Sequence, residues 1–78
     1  MINTELWANM TSKRVELAAD YQVYRAMGDF ILANAERCKQ EKDYCGMKAW
    51  LDAMKDVNAK LEKVAKEYGE VVDQLAAM

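Results

Sequence analysis

The last 32 residues of the chain carry an unbroken apolar stripe. Its members recur in alternating steps of three and four residues, and they are Met47, Trp50, Met54, Val57, Leu61, Val64, Tyr68, Val71, Leu75 and Met78. This is the heptad spacing of an α-helix with one side turned toward other helices. Since one helix cannot cover such a stripe by itself, the pattern predicts an all-α fold in which residues 47–77 form a long helix packed on a partner surface.

The stripe is wider than the seam of a two-stranded coiled coil. With Met47 at heptad position a, the e positions are Leu51, Asn58, Ala65 and Val72, and three of these four are apolar. A strict two-stranded coiled coil carries charges at position e. An apolar face made of a, d and e positions is instead typical of a helix in a bundle.

The first half of the chain has a second helical pattern, over residues 12–38. Its apolar arc covers close to half of the helix circumference and holds Leu17, Tyr21, Val23, Tyr24, Met27, Phe30, Ile31, Ala35 and Cys38. Residues 4–10 predict a separate short helix with Asn3 as N-cap, and Thr11 and Ser12 predict a break after it. One continuous helix through Thr11 and Ser12 is the alternative, because neither residue forbids it.

The apolar pattern stops at residues 39–46, which predicts a turn between the two long helices. Asp43 is a candidate N-cap of the second helix, and Gly46 lies where backbone freedom would help. The alternative is one unbroken helix of about 65 residues, close to 100 Å long at ~1.5 Å per residue. With the turn, residues 1–78 predict a single helical domain: an antiparallel hairpin with a short N-terminal helix.

A lone hairpin would leave much of both apolar arcs uncovered. A short helix over residues 4–10 would cover part of them, whereas pairing two hairpins would cover nearly all of them. We therefore expect a homodimer that forms a four-helix bundle, with a monomeric three-helix fold as the alternative.

The residue types that are missing restrict the chemistry. The sequence has no histidine, which removes the commonest general base and metal ligand. Its three glycines are isolated, so it has no glycine-rich phosphate loop. Composition and spacing thus predict no catalytic residues, no metal site, no cofactor and no enzymatic activity.

Two cysteines flank the predicted turn, Cys38 and Cys45. They would form a disulfide that closes the neck of the hairpin, or remain free thiols that pack as small apolar residues.

The longest stretch without a charge, Leu6 to Ser12, is too short to cross a membrane, and the N-terminus does not resemble a secretion signal. These features favour a cytoplasmic protein with reduced cysteines.

Four residues are candidates for binding a partner. Glu16 and Asp20 are four residues apart and share one helix face at the margin of the apolar arc. They would recognise a basic group of a partner, act as a polar pin inside a bundle, or lie in solvent. Trp7 and Tyr44 are aromatic residues near a chain end and at the turn, the kind that interfaces often use.

Two glycines fall inside predicted helices. Gly28 lies one heptad after Tyr21 and one before Ala35, so it would let another helix approach closely. Gly69 lies on the outer face of the second helix. A glycine there lowers helix stability by about 1 kcal/mol relative to alanine, and the sequence shows no feature that compensates for this loss.

The net charge is −2, with 11 basic and 13 acidic residues well mixed along the chain. Basic residues cluster near the turn as Arg37, Lys39, Lys42 and Lys48, but Glu36, Glu41 and Asp43 lie among them. The sequence therefore favours a small non-catalytic protein that binds and regulates or inhibits a larger protein, such as an accessory factor of a virus or mobile element. The alternatives are a dimeric nucleic-acid-binding regulator and a purely structural oligomerisation element.

Overall fold

The computed structural model describes residues 4–78, and it shows two long helices joined by a short turn. Helix α1 runs over Thr4–Gln40 and helix α2 over Tyr44–Ala77. The helices pack against each other as a hairpin with extents of 62 × 14 × 13 Å. The predicted all-α class and helical hairpin are confirmed. Asn3, the predicted N-cap, lies outside the described residues.

Helix α1 is continuous from its start to the turn, so the predicted separate short helix over residues 4–10 is wrong. The alternative of one helix through Thr11 and Ser12 is the structure observed. The physical reason lies in the packing: Met10 contacts the same core cluster as Leu17, seven residues later. An uninterrupted helix places both on one side, and neither Thr11 nor Ser12 prevents it.

The turn consists of residues 41–43 and is shorter than the predicted range of 39–46. Lys42 has a φ of 61°, in the left-handed region. The N–H of Asp43 donates to the carbonyl of Cys38 at 2.8 Å, and the N–H of Lys42 donates to the carbonyl of Lys39 at 3.1 Å. This is the Schellman pattern that satisfies the last carbonyls of a helix.

Asp43 is the N-cap of helix α2, as predicted, but the helix begins at Tyr44, three residues before the predicted start at residue 47. The Asp43 Oδ1 accepts a hydrogen bond from the N–H of Gly46 at 2.9 Å. The expectation that Gly46 supplies backbone freedom is wrong, because the left-handed residue is Lys42. Gly46 supplies room instead: a Cβ there would lie 2.9 Å from the Asp43 Cγ, closer than van der Waals contact allows.

The core is a narrow seam between the two helices. Within residues 4–78 its buried apolar residues are Leu17, Ile31, Ala35, Cys38, Val57, Val64 and Val71. Gly28 is also buried, and a Cβ there would lie 3.0 Å from the Met54 Cε. The predicted close approach of a second helix at Gly28 is therefore confirmed. A seam this thin buries little apolar area, so the hairpin has a small stability margin.

Neither helix, over the part of the chain described, combines enough length and hydropathy to cross a bilayer.

Candidate functional site

The hairpin has two long sides on which apolar residues remain exposed. The seven-residue spacing of Met10, Leu17, Tyr24, Ile31 and Cys38 marks the seam of α1. Residues one position after a seam member lie on one side of the seam, and residues one position before a seam member lie on the opposite side. The grooves of the structure show which side each of them joins.

The first side has two tyrosines at its centre, and we call it the tyrosine flank. A groove of about 380 Å³ lies there, lined by Ala18, Tyr21, Gln22, Ala65 and Tyr68. Helical periodicity places further exposed apolar residues above and below this groove on the same side, namely Val15, Leu32, Leu51 and Val72. The flank therefore carries apolar side chains at several levels along the rod, and the same periodicity places exposed Arg25 and Asn58 between them.

The opposite side carries an apolar patch near the turn, which we call the Phe30 patch. It is a shallow concavity of about 570 Å³ lined by Val23, Ala26, Met27, Phe30, Ile31 and Trp50. Phe30 is 64% exposed although it is a large apolar residue. Its ring meets that of Trp50 edge-on, with centroids 5.8 Å apart and planes at 82°. Such aromatic side chains at a concave surface resemble the centres of protein interfaces.

The same side becomes charged toward the free ends of the helices. A groove of about 330 Å³ there is lined by Lys13, Glu16, Leu17, Asp20, Tyr24, Lys60, Lys63, Val64 and Glu67. Glu16 and Asp20 are both exposed on the single hairpin. They face lysines of α2 across the groove, and the Lys60 Nζ lies 5.7 Å from the centre of the Tyr24 ring.

The four predicted partner-binding residues do not form one site. Trp7 and Tyr44 are both exposed, but they lie near opposite ends of the 62 Å rod. Glu16 and Asp20 lie between them, and Asp20 is about 20 Å along α1 from Trp7 at ~1.5 Å per residue. A single partner contacting all four would have to cover most of the length of the hairpin.

The predicted core stripe of α2 is buried to different degrees. Val57, Val64 and Val71 are buried, and Tyr68 and Met78 are exposed. The other members are half-buried, and they are Met47, Trp50, Met54, Leu61 and Leu75. One neighbouring helix thus covers only the middle line of the stripe, and its edges face the two exposed sides.

Cys38 and Cys45 are free thiols in this structure. Cys38 lies buried against α2, whereas Cys45 lies on the exposed side of the first turn of α2. The two side chains therefore face different environments although only six residues separate them in sequence.

The turn end carries basic and acidic side chains intermixed. Lys39 and Lys42 are exposed beside Glu36 and Glu41, and Arg37 donates to the Asn34 Oδ1 at 3.0 Å. No group of three cysteine or carboxylate side chains within residues 4–78 is placed to hold a metal ion.

Sequence reasoning placed Val23, Met27 and Phe30 within a single apolar arc and did not separate them from the core. The signal that distinguishes them is phase. Tyr24 and Ile31 keep the seven-residue spacing of the seam, and Val23 and Phe30 each precede one of them by one position, which rotates them out of it.

A scan of protein-family models, a search of curated proteins and a search of solved structures found no match to this chain.

Proposed function

We propose that this chain is a non-catalytic, homodimeric helical module that binds another protein and regulates or inhibits it. One observation carries the proposal: the hairpin buries a narrow seam and leaves large apolar side chains exposed on both of its long sides. Groups of exposed large apolar side chains on a protein surface often mark a contact with another molecule.

The two sides suit two different contacts. The tyrosine flank carries exposed apolar side chains near the turn and toward the free ends of the rod, as expected for a surface that completes a four-helix bundle. The Phe30 patch is confined to the half near the turn and adjoins a charged groove. A local apolar centre with a charged margin is the anatomy of an interface between different proteins. We therefore assign the patch to a partner protein that presents apolar side chains.

The mechanism that follows is steric. A rod 62 Å long and 14 Å wide can cover a partner's own binding surface without any chemistry at the contact. The mixed charge of the turn end does not add support for nucleic-acid binding, since acidic residues lie among the lysines and would repel phosphates.

The test compares capture of proteins from a native lysate by the unchanged chain and by two variants. Phe30→Glu places a charge in the Phe30 patch, and Ala33→Glu places the same charge at an exposed position one turn along α1. We expect a protein that the unchanged chain and Ala33→Glu both retain and that Phe30→Glu loses by at least about tenfold, roughly 1.4 kcal/mol.

Equal capture by both variants would refute the assignment of the Phe30 patch. Capture of the chain alone would refute partner binding and favour a purely structural oligomerisation element. Circular dichroism of each variant establishes that the helices are retained, so that lost capture reports on the surface.

A further inference from the structure

On the tyrosine flank, the order of the apolar residues and the placement of the charges at the edges are compatible with a second copy of the same flank. We infer that two chains pair through this flank about a twofold axis that runs along the rod, so that both turns lie at the same end of the dimer. The inference rests on the proposed homodimer and identifies the surface and the arrangement by which it forms.

We call the distance of a residue from the turn, measured along the rod, its height. Contacts between the two helices show which residues share a height. Residues equally far in sequence from Lys42, at the middle of the turn, lie at about the same height. Tyr24 and Lys60 are both 18 residues from Lys42, and the Lys60 Nζ lies 5.7 Å from the Tyr24 ring centre. Gly28 and Val57 are 14 and 15 residues away, and a Cβ on Gly28 would lie 3.7 Å from Val57.

A twofold axis along the rod places α1 of one copy over α2 of the other with the heights unchanged. On the tyrosine flank, residues of the same type then face each other across the two copies. Leu32 faces Leu51 of the second copy, at ten and nine residues from Lys42, and Ala18 faces Ala65 of the second copy, at 24 and 23. Leucines near the turn and alanines at the centre would let the two rods approach evenly along their length.

The edges of the flank carry complementary charges at equal heights. Helical periodicity places Asp29 and Glu36 on the edge formed by α1, and Lys48 and Lys55 on the edge formed by α2. Asp29 and Lys55 are each 13 residues from Lys42, and Glu36 and Lys48 are each six residues from it. Each acidic residue therefore faces a lysine of the second copy, and the symmetry doubles the two pairs to four.

These charges do not satisfy one another within one chain. All four residues are exposed. The ion pair that the structure shows within residues 4–78 joins the Lys55 Nζ to Asp52 Oδ1 at 3.5 Å, one turn along the same helix. Asp29 and Glu36 are thus available to a second chain.

The other twofold arrangement lacks this match. An axis across the middle of the rod would put the two turns at opposite ends and α1 over α1. Asp29 and Glu36 would then face Val15 and Ala8 of the second copy, and no charge would be compensated. Charge complementarity selects the axis along the rod.

The flank is also large enough. A face of the rod measures 62 Å by 14 Å, or roughly 870 Å². A standard stable interface buries about 800 Å² of each partner. The pairing would leave the Phe30 patch of each copy on the outside, so that a dimer carries two such patches on opposite faces.

Sedimentation velocity on charge-reversed chains tests the arrangement. One variant carries Asp29→Lys and Glu36→Lys, and the other carries Lys48→Glu and Lys55→Glu. At low salt we expect each variant alone to raise the dimer Kd at least about tenfold, because four attractions become four repulsions. Mixing the two variants restores every attraction, so we expect a heterodimer with a Kd within about threefold of the unchanged chain. Lys66→Glu, an exposed reversal on the outer face of α2, is the matched control and leaves the Kd unchanged.

The outcomes separate this inference from the proposed homodimer. An unchanged chain that sediments at its monomer mass of 8.9 kDa at every concentration overturns the homodimer itself. A dimer that neither reversed variant weakens, or that mixing fails to restore, overturns the arrangement while the homodimer stands. A dimer that dissociates with Phe30→Glu but not with the reversals places the contact on the Phe30 patch and overturns the inference as well.

Discussion

Val64→Ala and Val23→Ala remove the same two carbons from the middle of a helix, and we expect them to have different effects on stability. Val64 is 8% exposed and belongs to the core cluster with Leu17 and Val71. Val23 is 57% exposed and lies in the Phe30 patch. The intrinsic gain in helix propensity from valine to alanine, about 0.5 kcal/mol, is shared by both variants and cancels in the comparison.

The magnitude follows from burial. At ~0.8 kcal/mol per buried carbon, the lost transfer free energy is about 1.5 kcal/mol at Val64 and about 0.7 kcal/mol at Val23. After the propensity gain, Val64→Ala should lower the free energy of unfolding by about 1 kcal/mol, and Val23→Ala should change it by only a few tenths. A residual cavity at Val64 would increase its loss further. For a chain of this size, 1 kcal/mol corresponds to roughly 4–8 °C in Tm.

Urea denaturation followed by far-ultraviolet circular dichroism measures both losses. All samples should have one protein concentration, since an associating chain gains apparent stability with concentration. Equal losses, or a larger loss at Val23, would refute the assignment of Val64 to the seam and of Val23 to the exposed side, because they would require α1 or α2 to be rotated about its axis.

Three further predictions concern single residues. Asp43→Ala removes the N-cap hydrogen bond to Gly46 and should cost about 1 kcal/mol in urea denaturation, whereas Asp43→Asn, which retains a capping oxygen, should cost much less; equal costs would argue against the cap. Gly69→Ala should stabilise the chain by about 0.5–1 kcal/mol, because a Cβ there meets nothing within 4 Å, and a lower Tm would contradict this. A thiol reagent should modify exposed Cys45 quickly and buried Cys38 only as fast as the hairpin opens, so two equally fast thiols would show that Cys38 is not protected.

The local rules of the chain were sufficient to predict several elements. A heptad stripe without a polar member predicts a helix over residues 47–77, and Asp43, a residue type favoured at N-caps, marks where that helix begins. The need of Gly28 for a close neighbour also follows from its place in the repeat. Each of these depends on spacing within a few residues, which a sequence displays directly.

The break expected at Thr11 and Ser12 shows where local rules end. Both residues are neutral in a helix, so propensity neither imposes a break nor forbids one. The continuous helix places Met10 on the same side as Leu17, and Met10 packs against the core cluster there. The short turn was also not predictable from local rules. It requires Lys42 to adopt a left-handed conformation, which a lysine in the sequence does not indicate.

The amino-acid sequence by itself determined that the chain forms long amphipathic helices and that a turn lies near Asp43, because periodicity and capping are properties of neighbouring residues. Only the tertiary structure decided which part of each broad apolar arc is buried. A single neighbouring helix covers a narrow line, and the rotation of α1 about its axis puts Ile31 on that line and leaves Phe30 beside it in solvent. That rotation depends on the packing of the whole seam, so no short segment of sequence contains it.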